Sequence, residues 1–249
     1  MTQEIEIKDQ VRKVYGEVAK GERCCSIDLT QLRCDGGGYT AEEIASLPEG
    51  ASLGLGCGNP TRLAAIEPGM TVLDLGSGAG VDVFLAAGRV GAGGRVIGVD
   101  MTQAMIDKAR ANAASGGYGN VEFRLGEIES LPVESGAVDV ILSNCVINLA
   151  PDKRKVFAEA YRVLKPGGRL QISDIVTRGQ MPEAVRRDLE KWAGCLAGAK
   201  DRDEYLEMIR QAGFAPVEVA QEFEYDAYRG PEFAALSISV VATKPRGCC

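Results

Sequence analysis

An α/β fold, a parallel sheet with helices on both faces, is predicted by three observations. From residue 70 onward, short apolar runs bounded by turn signals alternate with helical stretches. A glycine-rich turn, DLGSGAG (Asp74 to Gly80), directly follows the first of these runs and opens a helix. Pro166-Gly167-Gly168 then punctuates the step from the last of those helical stretches to another apolar run.

Each element has its own signal. Residues 1–20 place Ile7, Val11, Val14 and Val18 at helical spacing among charges. Residues 21–60 carry cysteines, glycines and turn residues, and read as a loop-rich segment with one short helix near Ala41–Ser46. Strands are expected at Thr71–Leu75, Arg95–Val99, Val121–Leu125, Val138–Ser143 and Arg169–Asp174. Their continuous apolar character suits strands covered on both faces. Helices fit Val81–Val90, Thr102–Ala114 and Asp152–Leu164. Residues 182–212 look helical, and 217–225 and 233–243 alternate like two antiparallel edge strands. The organisation expected is an N-terminal helix and cysteine-bearing loop segment at 1–60, a cofactor-binding domain at 61–178, and a substrate-binding region with edge strands at 179–249.

Composition excludes several chemistries. Among 249 residues there are eight cysteines and no histidine. That removes Ser-His-Asp triads, Cys-His pairs and imidazole metal ligands, and makes cysteine the natural carrier of any reaction. A net charge of −7 argues against binding a phosphate backbone, which needs a basic face. No apolar run reaches the roughly 18 residues of a membrane-spanning helix, and the polar N-terminus lacks a secretory signal's apolar stretch. A cytoplasmic location with reduced thiols is expected.

The glycine turn points to a nucleoside-type ligand. Gly76, Gly78 and Gly80 let backbone approach a ligand closely. Asp74, just before the turn, would repel a pyrophosphate but suits a ligand carrying an ammonium group. S-adenosylmethionine is such a ligand, and is favoured over a nicotinamide cofactor. Asp100, 24 residues beyond Gly76 at the end of the next strand, can accept both ribose hydroxyls. Gly126-Glu127-Ile128 ends the third strand, where an adenine edge could be met, and SNCVINL ends the fourth.

The cysteines are Cys24, Cys25, Cys34, Cys57, Cys145, Cys195, Cys248 and Cys249. No C-x-x-C pair exists, so a zinc ribbon is excluded, and a disulfide scaffold is not expected in a reduced compartment. Three thiolates converging from distant parts of the chain form a pocket that selects thiophilic atoms. Trivalent arsenic bonds three sulfurs in a pyramid and keeps a lone pair, a nucleophile for an electrophilic S-methyl group.

The segments LGCGNP (Leu55–Pro60), TVLDLGSGAGVDVFLAA (Thr71–Ala87), VIGVDMT (Val96–Thr102), SNCVINLAPDK (Ser143–Lys153), VLKPGGRL (Val163–Leu170) and CLAGA (Cys195–Ala199) closely resemble the arsenite methyltransferases that use S-adenosylmethionine. The glycine turn and KPGG are shared by many methyltransferases; the three cysteine contexts are the specific part. Gly194 stands where many relatives carry Glu. The resemblance implies a Rossmann-like class I methyltransferase sheet and arsenic(III) held by Cys57, Cys145 and Cys195. It implies an accessory role for Cys24 or Cys25 in relaying arsenic or forming a disulfide during turnover. It implies S-adenosylmethionine at Tyr15, Asp74, Gly76, Ser77, Gly78, Asp100, Met101, Gly126, Glu127, Ile128 and Asn144, with S-adenosylhomocysteine as product. Thioredoxin or glutathione is the implied reductant, methylarsenite the second substrate, detoxification of arsenic the role, and a monomer the expected state. The competing readings are a methyltransferase acting on an organic acceptor or on selenium or tellurium, and a thiol-based metalloid-binding protein.

Overall fold

The structure, a computed structural model, describes residues 2–23, 38–229 and 232–247. Cys24, Cys25 and Cys34, and the tail pair Cys248-Cys249, lie outside the described residues, as does the accessory role expected of Cys24 or Cys25.

Helix α1 (Thr2–Lys20) buries the stripe Ile7, Val11, Val14 and Val18. Helix α2 (Ala41–Ala45) starts at a capping box, in which the Thr40 hydroxyl accepts from the Glu43 amide and the Glu43 carboxylate accepts from the Thr40 amide. A short α3 (Pro60–Leu63), unforeseen in the sequence, is started by the Asn59 cap and by Pro60 in the first turn.

The regular core follows: β1 (Thr71–Leu75), α4 (Val81–Val90), β2 (Arg95–Asp100), α5 (Gln103–Gly116), β3 (Val121–Leu125), β4 (Val138–Asn144), α6 (Lys153–Val163) and β5 (Leu164–Gly179). One seven-stranded sheet completes with β6 (Val217–Arg229) and β7 (Phe233–Thr243), in the order β3-β2-β1-β4-β5-β7-β6. The first five strands are parallel, and β7 runs antiparallel to both β5 and β6. Only β6 is therefore an edge in this half; β7, expected at an edge, is an interior strand.

The pleat sorts the core into two layers. Leu73, Leu75 and Ile141 pack with Phe157 of α6 on one face, while Val72, Val140 and Leu142 pack with Phe84 of α4 and Ile106 of α5 on the other. Each such side chain, fully buried, contributes about 1.5–3 kcal/mol.

The stretch 182–212, expected as helical, is three helices: α7 (Glu183–Arg186), α8 (Leu189–Ala193) and α9 (Arg202–Gln211). Gly194 ends α8 and Asp201 caps α9, leaving an irregular segment that carries Cys195. Among the described residues no helix is long and apolar enough to cross a membrane.

The order of strands positions the site. The chain runs outward from β1 through β2 to β3, then returns to place β4 on β1's other side. The loops after β1 and β4 diverge there, and the crevice they leave at the carboxyl ends is where such sheets bind ligands.

Candidate active site

A cleft of about 1030 Å³ opens at this switch point. The glycine turn forms its floor. Gly76 (φ 64°) and Gly80 (φ 105°) adopt left-handed backbone, and a Cβ on Gly76 would lie 2.2 Å from the Val146 side chain. Gly78 (φ 51°) faces open space. Ser77 also lines the cleft; its hydroxyl is buried and has no hydrogen-bond partner among the described residues.

Three carboxylates surround this floor: Asp74 and Asp82, buried, and Asp100, partly buried. Burial drives the Asp74 carboxyl well above its ordinary value, and the neighbouring Asp82 and Asp100 add to the shift. Asp82 is pushed up to about 6, chiefly by burial and against the hydrogen bonds it receives from Tyr39 and Asn144. Asp100 is raised by burial too, although one oxygen accepts from the Gly78 amide (3.0 Å) and the other from the Thr102 amide (2.8 Å). Lys8, which also lines the cleft, is engaged at the rim by Glu127 (2.7 Å) and Glu129 (3.0 Å). A concentration of buried acids like this attracts a cationic ligand.

Asn144, at the end of β4, ties the cleft to the cysteine-bearing loop. Its amide nitrogen donates to Gly58 O (2.7 Å) and Tyr39 Oη (2.9 Å), and its oxygen accepts from the Cys57 amide (3.0 Å). Tyr39 in turn donates to Asp82 (2.8 Å). The loop approaches so closely that a Cβ on Gly58 would stand 2.6 Å from Ser173 Oγ. Glycines in LGCGNP thus let Cys57 reach β4 and β5.

The three cysteines meet beside the cleft. Cys57 and Cys145 are joined as a disulfide, with Cα atoms 5.8 Å apart. Cys195 is buried and free, and its thiol donates to Cys145 O at 2.7 Å. Burial, and then the charge of Asp174, push the Cys195 thiol up. Behind them lies a polar network. Asp174 accepts from Asn148 Nδ2 (2.9 Å), the Ile175 amide (2.9 Å) and the Tyr205 hydroxyl (3.0 Å). Burial raises its carboxyl to about 6. Lys153 is buried as well, lowered to about 8 chiefly by desolvation, and donates to Ala150 O (3.0 Å).

Comparison with known proteins interprets these features. A family model described as a methyltransferase domain matches residues 66–213. The arsenite methyltransferase of Halobacterium salinarum is 47% identical, the match covering 96% of this chain and 67% of that protein. The chain belongs to the arsenite methyltransferase family. The human arsenite methyltransferase is 36% identical over 85% of this chain and 59% of its own length. The crystal structure of CrArsM, an arsenic(III) S-adenosylmethionine methyltransferase from Chlamydomonas reinhardtii, matches with a TM-score of 0.70 and 36% identity, covering 85% of this chain and 72% of that one. The chain spans about two thirds of the length of the Halobacterium relative and less of the human one.

The residues singled out in the sequence fall around this arsenite methyltransferase cleft as follows. Tyr15, Asp74, Gly76, Ser77, Gly78, Asp100, Met101, Gly126, Ile128, Asn144 and Cys145 line it. Glu127 is not among the lining residues: Lys8 and Arg12 of α1 hold its carboxylate at the rim, and Glu129 lines the cleft instead. The expectation of free thiols is corrected at Cys57 and Cys145, which are bonded to each other. The fold brings their backbones close enough for that bond whatever the compartment's thiol balance. Cys195 reaches the pair through its contact with the Cys145 carbonyl. Four residues went unnoticed in the sequence: Tyr39, Asp82, Lys153 and Asp174. Lys153 is the last residue of the quoted SNCVINLAPDK, and Asp82 follows the glycine turn by two positions. Both were legible as positions, though not as buried charges.

Proposed function

We propose that this chain methylates trivalent arsenic, arsenite and then methylarsenite, with S-adenosylmethionine as methyl donor. The observation that supports the reading is that Cys145, on the wall of an acid-lined cleft at the sheet's switch point, is bonded to Cys57 and accepts at its carbonyl from the Cys195 thiol.

The cleft fits the donor. Asp74 and Asp82 offer carboxylates to an ammonium group, Asp100 keeps acceptor capacity for ribose hydroxyls, and the unpartnered Ser77 hydroxyl awaits a polar ligand atom. When bound, S-adenosylmethionine supplies an electrophilic methyl carbon. Val11, Leu53 and Leu149, on the cleft wall, would help to exclude water.

The thiols do the rest. The Cys57–Cys145 bond opens by exchange with a dithiol such as thioredoxin's, or with two glutathione molecules; the reductant leaves as a disulfide and each cysteine gains a hydrogen. Arsenite then exchanges its three hydroxyls for three sulfurs, releasing three waters. Cys57, Cys145 and Cys195 hold the arsenic and leave its lone pair as nucleophile, so the absence of histidine is no handicap. Giving that lone pair to carbon oxidises arsenic by two electrons, which two of the cysteine sulfurs return by leaving joined as a disulfide, the bond that the reductant reopens; methylarsenite, with one position already carbon, then needs only two thiols, Cys145 and Cys195. Cys24 or Cys25 is the candidate accessory thiol for relay.

One paired experiment tests both halves. Cys145→Ser abolishes methylation of arsenite and leaves S-adenosylmethionine binding at the parent value by calorimetry. Asp100→Ala weakens cofactor binding by about tenfold to a hundredfold, as expected for loss of charge-assisted hydrogen bonds. Normal arsenic turnover by the serine variant would remove Cys145 from the reaction. An organic-acceptor methyltransferase would be indifferent to the thiol.

A further inference from the structure

We propose that the reduced side chains of Cys57 and Cys145, together with the carboxylate of Asp174, form a binding site for a soft divalent cation of the zinc or cadmium class. One ligand atom from each of these three residues lies within 4.8 Å of the others. Around a tetrahedral zinc ion with sulfur at about 2.3 Å and oxygen at about 2.0–2.2 Å, neighbouring ligand atoms stand roughly 3.5–4 Å apart. With the two sulfurs still bonded to each other the three donors lie within this span, and opening the bond lets them part to it. Cys57 and Asp174 are 4% and 0% exposed, and Cys145, on the cleft wall, gives the route in.

Asp174 retains the capacity to bind. A carboxylate has about four acceptor sites, and three are used, by Asn148, Ile175 and Tyr205. Those three donors fix the carboxylate's position, as the outer partners of metal ligands do. Charge balance favours a divalent guest. Two thiolates and a carboxylate carry three negative charges, and a doubly charged guest offsets most of them. Arsenic(III), by contrast, takes three sulfurs and has no need of the oxygen. The site requires the Cys57–Cys145 disulfide to be opened, by a dithiol that is itself oxidised, after which the ion displaces two protons to solvent. It stands on this geometry whether or not arsenic is the substrate.

The test uses cadmium alone, without arsenic or cofactor. The protein is the 249-residue chain with Cys24, Cys25, Cys34, Cys248 and Cys249 replaced by serine, which leaves three cysteines. Titration of the reduced chain is read by the sulfur-to-cadmium charge-transfer absorption. One equivalent of cadmium is expected to bind with full development of the band. Adding Cys145→Ser or Cys57→Ser should remove it, and Asp174→Asn should weaken binding at least tenfold. Calorimetric binding of S-adenosylmethionine by each variant verifies that it is folded. The cadmium chemical shift of the parent, which needs no substitution at Asp174, should fall in the range of mixed sulfur and oxygen donors. A band that survives Cys145→Ser, an unchanged affinity in folded Asp174→Asn, or an all-sulfur chemical shift would each overturn the proposal.

Discussion

Cys145 and Cys195, with φ of 56° and 64°, are the non-glycine residues with left-handed backbone among those described. Such a conformation costs about 1–2 kcal/mol per residue, and the two occurrences fall on cysteines joined by a hydrogen bond, Cys145 being on the cleft wall. The buried acids tell a similar story. The folded value of Asp82, about 6, stands above the usual carboxylate value of about 3.9, so the fold favours its protonated form. Its contribution to stability is complete below about pH 4 and is lost as pH rises through about 6. Urea midpoints of the ligand-free protein should record that loss, about 1–3 kcal/mol from this group. Asp82→Asn should flatten the curve over the same range, and an unchanged slope would move the titration to other groups. Asp100 and Asp74 could be read from the sequence because motif spacing puts them at strand ends. Asp82 and Asp174 could not, because their importance comes from Tyr39, Asn148 and Tyr205, which only the fold brings near.

Helix α1 is the element that spans both halves of the site. At its start Lys8 and Arg12 pair with Glu127 and Glu129 beyond β3. Further along, Tyr15 donates to Ala193 O of α8 at 3.1 Å, two residues before Cys195. Partly exposed ion pairs are worth about 0.2–1 kcal/mol each and weaken with salt. Replacing both Lys8 and Arg12 with alanine should therefore reduce S-adenosylmethionine affinity about threefold to tenfold. It should also remove most of the salt dependence of binding; equal salt slopes in parent and variant would show that these pairs do not hold the helix down. The hydrophobic stripe of α1 was plain in the sequence, and so were the ends of β1 to β4, where glycines, Asn120 and the charged turns leave little freedom. The break in 182–212 was not, since Gly194 and Asp201 are ordinary residues until a thiol has to be displayed between them.

On the scale of the whole molecule, the sheet is a parallel core closed on one side by an antiparallel pair. Alternation along 233–243 revealed a strand, but a periodic pattern says nothing about which neighbours it will have. Ile238 of β7 lies opposite Asp174 of β5 on one side and Glu222 of β6 on the other, and is fully buried. Ile238→Ala should destabilise the protein by about 2–5 kcal/mol, measured by urea unfolding; a loss below 1 kcal/mol would mean that the sheet does not depend on this layer. In the same strand Ser237 Oγ donates to Cys57 O at 3.3 Å, so β7 also backs the cysteine loop.

The insertion of β7 between β5 and β6 has a consequence for biosynthesis. Emerging from a ribosome, β6 precedes the partner it will pair with, and the slot alongside β5 stays open until nearly all of the described chain has been made. Until β7 has been made, a growing polypeptide lacks the strand whose Ser237 backs the Cys57 loop.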